Sequence, residues 1–277
     1  MEIRELRTID EFKQVVALER QIWGYTDEQD VVPVPIFIIT VHRGGILLGA
    51  HDKGELVGFA YSIPGFRDGK PLQWSHMLGV SEPYRSTGLG RRLKLEQRRR
   101  ALVMGLDLIE WTYDPLQALN AHFNFVKLAA VVEDYEENVY GESSSVLHRG
   151  TATDRFVARW WIRDPRVEAR LSADTAEPIH EFDAAGARHV NTTRPRGDWL
   201  EPTGADFFLT DSRLLVTIPT GFTEMQARDV DLARAWRAAT REIFLTYFGR
   251  GYRAVDFFLD RPHRRGSYLL TGGAGAS

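Results

Sequence analysis

His76-Met77-Leu78-Gly79-Val80-Ser81-Glu82-Pro83-Tyr84-Arg85-Ser86-Thr87-Gly88-Leu89-Gly90-Arg91-Arg92-Leu93 reads as a strand ending at Val80, a tight turn broken at Pro83, and a helix starting at about Gly90. Gly88 and Gly90 let the backbone approach a ligand, and the N–H groups of residues 86 to 91 have no acceptors within a helix. They point along the axis as a partial positive charge, which suits a pyrophosphate. Arg85, Arg91, Arg92 and Lys94 can add side-chain charge, with Arg98, Arg99 and Arg100 further along; the alternative is a solvated helix. A dinucleotide fingerprint would need a third glycine and a Walker loop a Gly-Lys-Ser or Gly-Lys-Thr, and the segment has neither.

Upstream, Ile3 to Arg7 reads as a strand. Thr8 or Asp10 can cap a helix with apolar positions Phe12, Val15, Val16, Leu18, Ile22 and Trp23, which Gly24 stops. Gly45 to Ala50 and Leu56 to Ile63 form a hairpin that Pro64-Gly65 ends, and Leu72 to Val80 is the next strand. Downstream come a helix to Met104, a strand from Leu106 to Tyr113, a helix from Pro115 to about Leu128, and an extended stretch from Val131 to Tyr140. The order is β-α-β-β-β-α-β-α-β. Further on, Arg155 to Ile162 and Arg213 to Ile218 read as strands, Thr223 to Phe248 as one long helix and Tyr252 to Leu259 as a last strand. Residues 163 to 212 are irregular. The Ser-, Gly- and Thr-rich stretch Gly141 to Thr153 sets a boundary near Gly150, although Asp154 to Ile162 can equally finish the first sheet. The expected organisation is a domain over 1–150, an α/β region over 151–271 and a disordered tail over 272–277.

Composition excludes several classes. The 277 residues include no cysteine, so disulfides, thiolate nucleophiles, iron–sulfur clusters and Cys-ligated zinc are ruled out. With 35 Lys+Arg against 38 Asp+Glu, the net charge of −3 does not suit a protein built to coat nucleic acid, and the Arg98 to Arg100 run lacks interleaved aromatics. The eight histidines show no His-Glu-x-x-His arrangement, so no metal site is expected. The N-terminus lacks a secretory stretch, and the apolar window Val31 to Val41 is too short to span a bilayer and holds Pro33 and Pro35. A cytoplasmic protein that binds neither membrane nor nucleic acid is expected.

Arg85 to Gly90 fits the pattern Arg or Gln, two residues, Gly, one residue, Gly or Ala. In its strand–loop–helix–strand–helix context it resembles the GNAT superfamily of acyl-CoA-dependent N-acyltransferases. Asn120-Ala121-His122-Phe123-Asn124, with Tyr140-Gly141 and Thr153-Asp154-Arg155, is similar to a bacterial GNAT subfamily with an extra C-terminal region. The resemblance implies a mixed, largely antiparallel central sheet flanked by helices, of the α/β (α+β) class, with a smaller C-terminal α/β extension. It further implies acetyl-CoA or another acyl-CoA as co-substrate, and a small-molecule or peptide amine that attacks the thioester directly. In such a fold the fourth strand splays from the fifth, and Met77 to Val80 would pair with the pantetheine arm. The implied CoA contacts are Leu78, Gly79 and Val80, then Arg85, Ser86, Thr87, Gly88, Leu89, Gly90 and Arg91, with Asn120, Asn124 and Phe125 near the thiol.

Direct attack needs a base for the amine proton. His76 is the first candidate, placed by strand parity on one face with Leu78 and Val80; Glu110, which can hold a water, is the second. Each can instead be a structural hydrogen-bond partner. Asp114 can hold the amine cation. Phe125 stands where the family often has a proton-donating Tyr, and Ala129-Ala130 replaces a Gly-aromatic pair. Tyr247, followed by Gly251-Tyr252, has that missing spacing and is a remote acid candidate, although Leu232, Ala235, Trp236, Ala239, Ile243, Phe244 and Tyr247 also fit a core stripe. The C-terminal region is then a degenerate GNAT-like half or a dimerisation element of a homodimer, and the competing function is a catalytically weak CoA-binding or regulatory module. Asp154-Arg155 can be a specificity pair but reads more simply as a surface ion pair.

Overall fold

The computed structural model describes residues 1–25, 27–141, 150–173 and 178–272. The expected tail beyond residue 272 and most of the Ser-rich stretch before Gly150 lie outside the described residues. Two compact units divide the chain: one holds residues 1–111 and 161–163, the other residues 112–141, 150–160 and 164–272. The division falls inside a strand, at Trp111/Thr112, whereas sequence alone placed a boundary near Gly150.

In the first unit the elements are β1 (Glu2–Glu5), α1 (Ile9–Trp23), α2 (Val34–His42), β2 (Ile46–Asp52), β3 (Glu55–Arg67), β4 (Lys70–Val80), α3 (Leu89–Val103) and β5 (Leu108–Tyr113), whose last two residues belong to the second unit. The strand order is β1-β2-β3-β4-β5, antiparallel except for the parallel β4–β5 pair. Thr8 caps α1 in a capping box with Glu11, and Gly24 closes it at φ 65°. Helical spacing puts Phe12, Val15, Leu18 and Ile22 on one side of α1, where they pack with Phe37 of α2 on Leu47, Phe59 and Tyr61. Strand alternation turns Gly58 to the opposite face, where a Cβ would meet Leu89 and Leu93 of α3.

Two elements differ from the sequence reading. The apolar window after Val31 is a helix, α2, with Pro33 as its N-cap and Pro35 in the first turn, positions whose missing N–H costs no helical bond. Pro64-Gly65 does not end β3, which runs on to Arg67. β2 pairs with β3 only as far as Ser62, so Pro64 has a neighbour on one side alone, and a lost donor is tolerated there.

The second unit contains α4 (Ala118–His122) continuing into a π-helical turn (Phe123–Lys127), β6 (Val131–Glu136), β7 (Arg155–Trp161), α5 (Pro165–Ser172), β8 (Arg188–His189), β9 (Asn191–Arg196), β10 (Trp199–Ala205), β11 (Arg213–Pro219), α6 (Phe222–Arg228), α7 (Val230–Phe248), β12 (Arg253–Asp260) and β13 (Arg265–Thr271). Its strands run in the order β7-β6-β12-β13-β11-β8, antiparallel except β8 on β11, with β9–β10 a separate ribbon. Both units therefore carry the expected mixed, mostly antiparallel sheet with helices. The single helix expected from Thr223 to Phe248 is two, broken at Asp229, whose φ of −147° is extended and whose carboxylate accepts the Leu232 N–H at 3.0 Å. β12 is not the last strand, and the irregular stretch after residue 163 holds α5 and three short strands. Phe156, Phe244 and Tyr268 form an edge-to-face aromatic core, with Phe156–Phe244 centroids 4.6 Å apart.

Candidate functional site

β4 parts from β5 after two paired residues. Gln73 pairs with Ile109 and Trp74 with Glu110, whereas β3 accompanies β4 on its other side as far as Val80. Among the described residues, the edge of β4 turned away from β3 thus has no β5 ladder from Ser75 to Val80. Main-chain donors and acceptors along such an edge are what an extended ligand uses when it binds as an added strand.

A β-bulge lies within this open stretch. Tyr61 pairs with Met77 and Ser62 with Ser75, which leaves His76 as the extra residue. The consequence is a change of face. Ser75 points to α3, where Lys94 and Gln97 bond its hydroxyl, while Met77 packs into the α1–α2 cluster and Leu78 returns to α3 beside Gly90. His76 therefore does not share a face with Leu78 and Val80 as strand parity suggested, because parity counts residues and a bulge inserts one. Its ring meets Tyr61 edge-on at 6.0 Å, and the Tyr61 hydroxyl lies 2.6 Å from that of Thr40 in α2. His76 is open to solvent, yet enough protein surrounds it that desolvation lowers its imidazole pKa below the ordinary value.

Glu110 is buried, and its carboxylate lies 2.6 Å from Arg67 Nε at the end of β3. Its neighbour Trp111 faces α3, with Lys94 Nζ 3.7 Å from the ring centroid, so alternation turns Glu110 to the same face as His76. Nothing local to Glu110 marks Arg67 as its partner, since the pairing depends on β3 continuing past Pro64.

The turn after β4 is exposed from Glu82 to Gly88 except for half-buried Tyr84, and two bonds hold it: Tyr84 donates to Asp52 at the end of β2 at 2.8 Å and Thr87 to the Tyr84 carbonyl at 2.7 Å. Ser86 and Gly88 both have positive φ, 61° and 86°. Gly88 is the N-cap of α3 and supplies no side-chain acceptor, and no acidic residue lies in the first turn. The leading N–H groups of α3 thus face the loop without a capping oxygen, which favours an anion. Gly88 needs glycine for its backbone angle. Gly90 does not, since a Cβ there would meet only Leu78 at 3.8 Å. Gly79 is constrained by packing, because a Cβ would come within 2.8 Å of Ile22 and Phe59. Arg85 donates to the Val80 carbonyl at 3.3 Å, and Arg91 is half-buried at the start of α3. Lys94 is fully buried, which corrects its reading as a phosphate contact, and Arg99 and Arg100 are bound by Glu96 and Glu5.

The remaining expected residues belong to the second unit. Asn120 is exposed on α4, while Asn124 and Phe125 are buried in the π-helical turn, Phe125 edge-on to Tyr268 at 5.7 Å. Arg170 of α5 donates to the Phe125 and Val126 carbonyls at 3.1 and 2.8 Å, and Arg166 donates to Ala129 at 2.6 Å. Tyr247 is buried and donates to the Asp206 carbonyl at 2.6 Å, so its proton is held by the main chain. Asp114 is not available to an amine, because Arg237 holds it through two bonds of 2.8 and 2.6 Å in the interior. Asp154 is likewise no surface ion-pair partner: it is fully buried, accepts Tyr135 at 2.6 Å and is gripped by two nitrogens of Arg241.

Among the described residues no group of three or more His, Asp or Glu is placed to hold a metal, and no helix is long and apolar enough to cross a membrane. No protein-family model matches the chain, and no curated protein matches it either. Solved structures do resemble it. They include an aminoglycoside 6'-acetyltransferase type Ii, 21% identical over 59% of this chain and 99% of that one with a TM-score of 0.46. The ribosomal-protein-S18-alanine N-acetyltransferase of Escherichia coli is 14% identical over 58% and 93%, TM-score 0.47. A GNAT-family acetyltransferase of Streptococcus pneumoniae is 17% identical over 57% and 97%, TM-score 0.46.

Proposed function

We propose that the chain is an acyl-CoA-dependent N-acyltransferase. The observation that carries this reading is a continuity: the open edge of β4 runs through the loop Ser81–Gly88 directly into the uncapped N-terminus of α3. An acyl-CoA has the matching parts, a pantetheine arm with two amides for the strand edge and a pyrophosphate for the helix terminus. The glycine at residue 90, which nothing in the protein requires, leaves room for the phosphates to approach the backbone.

The chemistry is a direct transfer. The acceptor's neutral amine nitrogen attacks the thioester carbonyl, the C–N bond forms as the C–S bond breaks, and the sulfur leaves as a thiolate that takes a proton from solvent. The proton lost by the amine goes to the His76 imidazole, which its lowered pKa keeps neutral near pH 7. Glu110 is committed to Arg67 and orients that pair on the same face. A second reading, a CoA-binding module without turnover, is favoured by Phe125 and by the engaged Tyr247 hydroxyl, neither of which can donate a proton to a leaving thiolate.

Calorimetric titration with acetyl-CoA, succinyl-CoA and free CoA, followed by thiol release across an amine panel, separates the two. Binding with amine-dependent thiol release supports the transferase, binding alone supports the module, and no binding removes both. In a transferase, His76→Ala should lower kcat/KM and remove the acidic limb of its pH profile; an unchanged profile excludes His76 as base.

A further inference from the structure

α3 buries a stripe of Leu89, Leu93, Gln97 and Ala101 with Lys94 beside it, so two polar side chains occupy positions that helical spacing assigns to the core. Both converge on one atom. Lys94 Nζ lies 2.9 Å and Gln97 Nε2 3.1 Å from Ser75 Oγ, and Lys94 also bonds Gln97 Oε1 at 3.0 Å. A serine oxygen has two acceptor lone pairs, and these two donors fill them. Ser75 is the first residue beyond the last β4–β5 pair and directly precedes the bulged His76.

Apolar side chains at residues 94 and 97 would fill the same space without fixing where β4 sits along α3. A strand shifted by one residue exchanges its two faces. We propose that Lys94 and Gln97 are positioning residues that clamp Ser75 and thereby hold the bulge that turns His76 to the α1–α2 face and keeps the following edge of β4 clear. The clamp rests on the reading of His76 as the base only for its catalytic consequence; its structural part stands on the three bonds. Burial drives the Lys94 amine well below its ordinary pKa, and a neutral amine still has hydrogens to donate to both Ser75 and Gln97.

The test uses the full chain with Lys94→Met, Ser75→Ala and the double variant. The first readout needs no turnover: the His76 ring is followed by NMR in histidine-labelled protein, its signal assigned through His76→Gln. The expected result is a His76 titration moved toward the ordinary imidazole value in Lys94→Met and, to a similar extent, in Ser75→Ala. The double variant should change no further than the larger single one, because both act through the same bonds. Ser75→Ala removes a single oxygen and keeps the test open if Lys94→Met fails to fold. An unmoved His76 titration in Ser75→Ala, or fully additive shifts in the double variant, overturns the clamp. The second readout is thiol release, where kcat should fall at least tenfold with the KM for acyl-CoA within threefold; a wild-type kcat together with a shifted His76 titration would keep the clamp and count against His76 as base.

Discussion

Arg67 Nε at the end of β3 and Glu110 Oε1 in the middle of β5 lie 2.6 Å apart, an ion pair with one partner buried and the other about one-third exposed. Removing one charge leaves the other uncompensated. Glu110→Gln and Arg67→Met should each cost about 2 kcal/mol in urea unfolding, below the range for a fully buried pair because Arg67 keeps contact with water. The double variant Arg67→Met/Glu110→Gln should recover at least half of that loss. A double variant as unstable as the two losses added together would show that the residues do not act as a pair.

Glu19 predicts a pH dependence. It occupies the inner face of α1, fully buried, accepts the Val32 N–H at 3.2 Å and has a second oxygen with no partner among the described residues. Burial raises its pKa from 4.5 to about 7. Between those values the folded chain binds more protons than the unfolded one, so this group's contribution to stability is full below pH 4.5 and falls as pH rises through about 7. The loss amounts to about 3 kcal/mol at alkaline pH. Glu19→Gln keeps the acceptor for Val32 and should match wild type at pH 4.5 while exceeding it by that amount at pH 8.5. His122, lowered to about 4, works in the opposite direction, so the difference between variant and wild type is the quantity to measure. Equal stability at both pH values would refute the assignment.

The two glycines of the α3 loop should separate folding from binding. Gly88→Ala strains a backbone held at φ 86° and should destabilise by about 1 kcal/mol. Gly90→Val meets little protein but projects into the space above the helix terminus. Its melting temperature should stay within a few degrees of wild type while acyl-CoA affinity falls at least tenfold. Retained affinity in Gly90→Val would place the phosphates elsewhere.

Asp154 should be among the most sensitive positions of the second unit. Asp154→Asn weakens the grip on Arg241, whose pKa the carboxylate raises, and should cost about 3 kcal/mol by urea unfolding. Tyr135→Phe removes one of its hydrogen bonds and should cost about 1 kcal/mol. A loss below 1 kcal/mol in Asp154→Asn would mean that solvent reaches the site.

The parts of the fold legible in the sequence are those written in local chemistry. Thr8, Gly24 and the Gly88 loop each announce an element boundary through a cap or a backbone angle. What escaped depends on distant neighbours. The window after Val31 is apolar on all sides, so periodicity carried no helical signal for α2. The His76 bulge is visible only through the register with Tyr61 and Ser62. Asp114 and Asp154 look like surface acids until Arg237 and Arg241 arrive from α7, more than 80 residues away. For the candidate site, the loop is legible directly, whereas no local motif marks Ser75. The stripe Leu89, Leu93, Gln97, Ala101 already placed a glutamine in the core, and that was the available sign.

The π-helical turn at Phe123–Lys127 is wound about one residue wider than an α-helix, and Arg170 sits on two of its carbonyls, those of Phe125 and Val126, while Arg166 holds that of Ala129 just beyond it. A single-codon deletion there would restore ordinary winding, yet rotate every later residue by about 100° and withdraw the oxygens the two arginines hold. The length of this stretch is therefore as constrained as its buried side chains Asn124, Phe125 and Val126, and the two arginines act as its length gauge.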